Sequence, residues 1–584
     1  MKPARWIFLP LATLLLLAGL TTTAVAAPVV VDVSATRSVV VFGDDVSLSG
    51  ALTGDAGCIG DRAVDLEWRA ADASTFLALG QGTTASDGRF SFDASQPNTG
   101  RYRAVIPQQG GCEAATSAEV PVRVRALVDS FALAGKLTAG SCVEVGATVS
   151  PAKPGQRVEF QQRRKDGGWT TIETATLDDQ SLASSKPCFG WSDIGVVRVR
   201  ARWTAQDPLN ETNTGITLAF QIARAPWMSK IEQAIGTRSV SVAVGEGGAT
   251  LYERAGATPR APASNEKLLL SMALLDTFGP TSVITTEAAA KRDVIHGTLR
   301  GDLWVLGRGD PEVDRRTMAD LARRIVAAGI ERIDGRLMGS TGYFLRDWDA
   351  RGWNSVARRY VSRPTALTFE GNASSAPERA AAAALTQQLE RRGVRVQGDP
   401  GWGEPPNGLA DIATVRSRPL QGILVKLLRP SNNFYAEVLG KGLGAEVSGP
   451  PGTIAKGADA IQAWVRDHGA DFTLYDNSGL SYANRVTATG IVHLLDQADD
   501  QSWGTDLRRS LPTGGQGTLR DRLHHVKIRA KTGTLTSISA LSGWVWSERL
   551  DTWIEFSILS SGTSKTTASG IEDRIVKILQ ASAR

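Results

Sequence analysis

The sequence predicts a multidomain chain: two all-β sandwiches in tandem, then one large α+β domain with an inserted subdomain. Three observations predict this. Short strand-like runs separated by turn residues fill positions 28 to 225 and then stop. The chain's 4 cysteines all fall in that stretch. Beyond Pro226, helical and strand-like periodicities alternate to the C-terminus. At 584 residues the chain has room for about four domains of roughly 150 residues each.

The first element is a leader. Lys2 and Arg5 precede an apolar run from Trp6 to Leu20, and Ala24-Val25-Ala26 follows. A basic start, a short apolar stretch and an Ala-x-Ala site form a secretory signal peptide, placed at 1–26. The run is shorter than the roughly 20 residues a bilayer core needs, and Pro10 interrupts it. No later segment is long and apolar enough to span a membrane. The mature chain is therefore expected to be soluble, periplasmic or secreted, with no transmembrane segment. Its 42% hydrophobic and 21% charged content is that of an ordered protein. A net charge of +5 with no polybasic block gives no reason to expect a nucleic-acid partner.

Val39-Val40-Val41, Val46 to Leu48, Val64 to Trp68, Phe90 to Phe92 and Tyr102 to Val105 read as strands of a first sandwich, residues 28–125. Val143 to Val145, Val158 to Phe160, Trp169 to Ile172 and Val196 to Ala201 repeat the pattern in a second, residues 126–225. Gly100 and Gly195 stand at similar points in the two. By pattern these resemble bacterial immunoglobulin-like or fibronectin-like modules, whose expected role is a spacer or a contact with cell wall or envelope protein. An even cysteine count in an exported chain reads as disulfides, with three pairings possible. Cys58–Cys112 with Cys142–Cys188 keeps each bridge local, worth about 4 kcal/mol each on the chain-entropy model. No His joins these cysteines at zinc-ligand spacing, so no metal is expected.

In residues 226–584, Val240 to Val244 is a strand and Leu268 to Leu275 a helix apolar nearly all round. Met318 to Ala328 and Ala380 to Arg392 are amphipathic helices. Val545-Trp546 and Trp553 to Leu559 are late strands, and a last helix begins at Ile571. The region is large for one core.

Three short motifs in this region bear chemistry. Ser264-Asn265-Glu266-Lys267 opens the buried helix, where positions i and i+3 share a face. The Ser hydroxyl thus lies beside an amine that burial and a second cation can turn into a base. The other Ser-x-x-Lys, Ser150 to Lys153, lies among strands and is followed by Pro154, so no helix aligns it. Ser431-Asn432-Asn433 precedes the helical Phe434 to Leu439; read alone, its Ser is an N-cap. Lys531-Thr532-Gly533-Thr534 suits an edge strand where Gly533 lets a ligand backbone come close. The five His (296, 468, 493, 524, 525) show no ligand spacing, and Asp302, Asp310 and Asp334 read as turn residues.

In this order, Ser-x-x-Lys, Ser-x-Asn and Lys-Thr-Gly are the signature of penicillin-recognising serine acyl enzymes. Further segments extend the match: Pro262 to Lys267, Gly301 to Pro311, Gly329 to Gly335, Ala436-Glu437, Asn477 to Ser481 with Asn484 to Thr487, Gly517-Thr518-Leu519, and Ala530 to Leu535 with Leu541 to Gly543. Across about 230 to 560 the chain resembles the D-alanyl-D-alanine carboxypeptidase/endopeptidase family of class C low-molecular-mass penicillin-binding proteins. The resemblance implies a serine β-lactamase/penicillin-binding (transpeptidase-like) fold acting on peptidoglycan stem peptides, acylated by β-lactams and needing no cofactor. It implies Ser264 as nucleophile, Lys267 as its base and Ser431 as proton relay. Asn433 would hold the substrate amide. Lys531, Thr532, Gly533 and Thr534 would bind the substrate carboxylate, and the backbone N–H groups of Ser264 and Thr534 would form the oxyanion hole. The 167 residues from Ser264 to Ser431 imply one inserted subdomain at roughly 284–400. Where the family commonly has an acidic residue able to bind a diaminopimelate ammonium, before a Tyr-Phe pair, Ser340 stands here, so that preference is not expected. A β-lactamase, or an idle envelope-binding protein working through its β modules, remains an alternative.

Overall fold

The computed structural model describes residues 26–133, 135–291 and 294–582. The signal-peptide expectation lies outside them, save for Ala26. Two compact units emerge. One comprises the described residues up to Gly135 with Cys142–Pro187 and Val196–Gln221; the other comprises Lys136–Ser141, Cys188–Gly195 and the described residues from Ile222 on.

The strand-rich stretch from Val29 to Ala223 contains a repeat. In the first half, Val29–Ala35, Val46–Gly54 and Arg89–Ala94 form a three-stranded sheet in that spatial order. A second sheet runs Val39–Val41, Val120–Arg125, Gly100–Ile106, Ala63–Ala70, Leu77–Thr83. In the second half, Leu127–Leu133, Glu144–Ser150 and Leu182–Ser185 take the positions of the first sheet. Leu137–Thr138, Leu218–Ala223, Gly195–Trp203, Arg157–Arg163 and Trp169–Thr176 take those of the second. The order matches strand for strand, including the parallel pair at one edge of each larger sheet. Gly100 and Gly195 open equivalent strands. Alternation supplies the core: Val29, Val31, Leu52, Val64, Phe90 and Ile106 meet between the two sheets of the first half.

Cys58 and Cys112 form a disulfide inside that core. Cys142 and Cys188 are disulfide-bonded too. Lys153, of the out-of-place Ser-x-x-Lys, pairs with Asp207 at 3.1 Å.

The C-terminal unit is built on a five-stranded antiparallel sheet. Helix α1 (Pro226–Ile235) leads into β1 (Val240–Glu246) and β2 (Ala249–Arg254). Helix α2 (Glu266–Phe278) and helix α3 (Asn433–Ser448) pack together with Leu420–Leu428 and Ile454–Asp467 in a common core against the sheet. The last strands are β3 (Ile528–Leu535), β4 (Ile538–Ser547) and β5 (Thr552–Ser561), followed by α4 (Lys565–Ser582). The spatial order is β2-β1-β5-β4-β3, which leaves β3 as an edge. Helix α4 starts six residues before the expected Ile571, because the apolar period begins only after a polar first turn. Ser564 Oγ accepts from Thr567 N there and satisfies one of the orphaned backbone donors.

Between α2 and α3 stands a subdomain with its own core. Its main sheet begins with Thr285–Ala290 and ends with Ala410–Arg416, and these two strands pair. The subdomain therefore runs on past 400, since its last strand must return to its first. Residues 341–376 leave this sheet and come back to the catalytic body, where Phe344 packs with Phe434 and Val438. Among the described residues no helix is long and apolar enough to cross a membrane.

Candidate active site

Ser264 lies on a single 3-10 turn, Ala263–Asn265, and α2 starts only at Glu266. The expectation that Ser264 opens the α-helix is thus displaced by one turn. The i, i+3 geometry survives because 3-10 and α spacing both bring these positions to one face. Ala263 holds φ +46°, a strained conformation for a residue with a Cβ. The turn is clamped from two sides. A Cβ on Gly479 would stand 1.9 Å from Ala263 O, and one on Gly533 would stand 2.7 Å from Pro262 O. Gly533 is therefore needed for the approach of the chain's own backbone, whereas the sequence suggested a ligand's.

Lys267 is fully buried, and its Nζ lies 3.0 Å from Ser264 Oγ and 2.8 Å from Asn433 Oδ1. Its third partner is the carbonyl of Ser478. Two of these three accept only; the hydroxyl can also donate. A neutral amine would spend its two N–H groups on the carbonyl oxygens and turn its lone pair to the Ser264 hydroxyl. Burial lowers the Lys267 pKa to about 8, while the carboxyl groups of Asp476, Glu437 and Glu266 act in the opposite sense. The second cation expected to help depress it is not among the causes. That repulsion acts instead on Lys531, pushed well below its ordinary value by burial, Lys267 and Lys565.

Ser431 sits at φ +60° and is not the helix cap. Asn432 takes that place, accepting from Tyr435 N at 3.1 Å. This leaves the Ser431 hydroxyl to receive a hydrogen bond from Lys531 Nζ at 2.8 Å. Lys531 also donates to Thr532 O at 2.7 Å, and Thr532 Oγ1 donates to Thr518 Oγ1 at 2.8 Å. Thr518 N in turn donates to Arg429 O at 3.1 Å, tying β3 to the turn that carries Ser431. Thr534 is exposed at the end of the same strand. The fold thus brings Ser264, Lys267, Ser431, Asn433, Lys531 and Thr532 into one contiguous set from three separate stretches of chain. Ser340 is elsewhere, buried in the subdomain sheet with its Oγ accepting from Gly307 N at 3.2 Å.

Sequence reasoning assigned no role to the groups behind this set. Asp476 accepts from Trp353 Nε1 at 2.8 Å, from Asn484 Nδ2 at 2.7 Å and from the backbone N–H of Leu480 at 2.8 Å. These bonds shape the loop that presents the Ser478 carbonyl to Lys267. Burial drives the Glu266 carboxyl well above its ordinary pKa and raises Glu437 to about 7. The Asn433 amide is oriented by donation to Tyr360 O at 3.1 Å. The Asn477-to-Ser481 segment was visible as a motif; its function as a rigid acceptor loop was not.

The family model of the D-Ala-D-Ala carboxypeptidase 3 (S13) family matches residues 228–376 and 369–582. A D-alanyl-D-alanine carboxypeptidase of Actinomadura sp. (strain R39) is 29% identical over 435 residues, covering 58% of this chain and 80% of that protein. Carboxypeptidase DacB of Mycolicibacterium smegmatis is 28% identical over 365 residues, covering 56% of this chain and 76% of its own. The crystal structure of penicillin binding protein 4 from Haemophilus influenzae superposes with a TM-score of 0.54 at 20% identity, over 60% of this chain and 99% of that one. That likeness is one of fold over 60% of the chain; the family match begins at residue 228, beyond the β modules. With the family model spanning more than half of the sequence, the chain belongs to the D-Ala-D-Ala carboxypeptidase 3 (S13) family, a family of hydrolases.

Proposed function

We propose that the protein is an exported serine-type D-alanyl-D-alanine carboxypeptidase that also opens D-alanyl cross-links, working through an acyl-enzyme on Ser264. The observation that supports this best is the placement of a fully buried lysine amine 3.0 Å from the Ser264 hydroxyl, with two carbonyl acceptors to hold it. In the proposed cycle, Lys267 takes the Ser264 proton as Oγ attacks the carbonyl between the two D-alanines. The backbone N–H groups of Ser264 and Thr534 receive the developing oxyanion, each such donor being worth about 3 kcal/mol. Ser431 passes a proton to the leaving D-alanine nitrogen as the C–N bond breaks. Lys531 replaces that proton through its 2.8 Å bond to Ser431. Water then attacks the ester carbonyl, its proton passing to Ser264 Oγ as the acyl C–O bond breaks, and the proton left on Lys267 returns to Lys531, which resets both amines. The substrate's terminal carboxylate binds at Thr532 and Thr534, close to Lys531. Its negative charge favours a proton on Lys531, against the burial that disfavours one. The charge so gained repels a proton on Lys267, which becomes the free base when substrate is present. A β-lactam acylates Ser264 by the same steps. Export to the periplasm or beyond is assigned to residues 1–26. A wall or envelope contact is assigned to the immunoglobulin-like reading of the two β modules.

Labelling by a fluorescent penicillin, compared with Ser264→Ala, tests the acyl-enzyme. Release of D-alanine from an acyl-D-Ala-D-Ala peptide tests the substrate. A stable label abolished by Ser264→Ala, together with D-alanine release, is expected. Rapid turnover of the penicillin instead would turn the reading to a β-lactamase, and silence in both assays would end the enzyme reading.

A further inference from the structure

Glu266 stands inside the Ser-x-x-Lys motif, next to Lys267, and the cycle above gives it no task. It is one of three carboxyl groups, with Asp476 and Glu437, that are fully buried behind Lys267. Among the described residues none of the three is in an ion pair. Their hydrogen bonds are unequal. Asp476 receives six donors: Trp353 Nε1, Ser478 Oγ, the backbone N–H groups of Gly479, Leu480 and Ser481, and Asn484 Nδ2. Glu437 receives two, both from Asn477. Glu266 receives one, from Asn484 Nδ2 to its Oε2, while its Oε1 is buried and finds no partner.

Six donors can replace the water around a carboxylate, and one cannot. A charge on Glu266 would be stranded, and it would have a second charge beside it. Asn484 Nδ2 bonds both Glu266 Oε2 and Asp476 Oδ1, the latter at 2.7 Å. The amide is held in that sense because Asn484 Oδ1 accepts from Tyr475 N at 2.8 Å. One nitrogen thus gathers an oxygen from each carboxyl, and two carboxyl groups that share a site do not both ionise at neutral pH. The proton belongs on the group with fewer donors. Burial, and after it the charges of Asp476 and Glu437, favour the protonated form of Glu266.

We infer that Glu266 is a neutral carboxylic acid hydrogen-bonded to the Asp476 carboxylate, so that the pair presents Lys267 with one negative charge in place of two. Glu266 is then a positioning residue for the proposed base, an inference that rests on the reading of Lys267 given above. The titratable groups that bear on this amine are Glu266 on its own helix, Asp476 on the acceptor loop, Glu437 on α3 and, across the site, Lys531 on β3. An ionised Glu266 would add its attraction to those of Asp476 and Glu437 and hold a proton on Lys267. The neutral acid leaves the amine free to take the Ser264 proton. Asp476 remains as counter-charge to the ammonium that results.

Two readouts test this in the full-length enzyme. Infrared difference spectra between the unaltered enzyme and Glu266→Gln at pH 7 read the proton directly. A protonated-carboxyl C=O band that the unaltered enzyme has and the variant lacks is expected. The pH profile of penicillin acylation reads the charge. Glutamine copies the neutral acid, so Glu266→Gln should keep the midpoint near 8. Asp476→Asn removes the anion and should lower the midpoint by about one pH unit or more. Loss of a carboxylate band in place of the acid band overturns the inference. So does a midpoint that Glu266→Gln lowers by about one unit, or one that a folded Asp476→Asn leaves unmoved. If Asp476→Asn does not fold, the two results on Glu266→Gln decide. If penicillin leaves no label on the unaltered enzyme, the peptidase reading falls, and the infrared band still decides whether Glu266 carries the proton.

Discussion

Gly479→Ala should silence the nucleophile without unfolding the protein. A Cβ at position 479 would stand 1.9 Å from Ala263 O, 2.4 Å from Ala263 C and 3.0 Å from Ser264 N. Ordinary contact begins near 3.4 Å, so the two backbones must separate by about 1.5 Å. All three contacts are backbone atoms, and none is a side-chain end that can swing away. The peptide that moves is the one joining Ala263 to Ser264, whose N–H is assigned to the oxyanion hole. A 1 Å misplacement of reacting groups costs about 100-fold, and loss of one oxyanion donor costs about 100- to 1,000-fold. The second-order rate of penicillin acylation should therefore fall by about 100- to 1,000-fold. Gly479 also has φ +81°, which costs an alanine about 1–2 kcal/mol whatever the space. Gly449→Ala separates the two effects, because Gly449 has φ +74° with nothing within 4 Å of the added Cβ. It should lose similar stability and keep its acylation rate. Acylation of Gly479→Ala within tenfold of the parent, or an equal loss in Gly449→Ala, would refute the clamp.

Acylation should rise with pH through about 8, the value to which burial lowers Lys267, because only the neutral amine accepts the Ser264 proton. At pH 7 the rate should be about one tenth of its plateau; a profile flat between pH 7 and 9 would contradict the assignment. The same depression ties folding to pH: the contribution of Lys267 to stability is present above its unfolded value of 10.5 and is lost as pH falls through about 8. Lys441 is fully buried and bonds Asp347 at 2.6 Å, so Asp347→Ala should destabilise by about 3 kcal/mol in denaturant unfolding. Combining it with Lys441→Met should recover much of that loss; no recovery would show that the cost is not the stranded charge. Removing Cys58–Cys112, which closes a separation of 54 residues, should lower stability by about 4 kcal/mol. Hydrogen exchange in the full chain should localise the loss to residues 28–125, and unchanged protection there would contradict it.

The residues of the candidate site were legible as a set because their spacing is local. Ser264 and Lys267 lie one turn apart, and Lys531 to Thr534 lie along one strand, so spacing alone sets their faces. The β repeat was legible for a related reason: alternation in Val29–Ala35 or Arg157–Arg163 says which side chains go inward, and the turn residues say where strands stop. What stayed hidden is set by chain topology. Trp353 and Asp476 are 123 residues apart, Lys441 and Asp347 are 94, and Asn433 and Tyr360 are 73. No period links such pairs, and each member alone reads as an ordinary surface or cap residue. The rule for Ser431 failed in an instructive way. Ser is a common N-cap, but Asn432 next to it serves as well and takes the place, which frees the hydroxyl to face Lys531. The subdomain bound at 400 failed for want of a pairing rule, since only the sheet reveals that Ala410–Arg416 must return to Thr285–Ala290.

These hidden pairs share a direction that bears on how the enzyme is assembled. Trp353, Tyr360 and Asp347 all belong to the 341–376 stretch that leaves the inserted sheet. Their partners Asp476, Asn433 and Lys441 all belong to the helical half of the catalytic body. Each contact pairs a polar group of the insertion with a polar group buried behind or beside the nucleophile. Trp353 acts on the loop that presents Ser478 O to Lys267; Tyr360 orients the amide that shares the same amine. The insertion thus supplies no partner to Lys267 itself but bonds to Asn433 and to Asp476, which hold two of its three partners in place. Without it, Asn433 would lose the bond that turns Oδ1 inward, and Lys441 would be an uncompensated buried charge one helix turn from Glu437. The surroundings of Lys267, the proposed general base, are therefore a joint product of the helix that bears it and of an insertion that the sequence sets far from it.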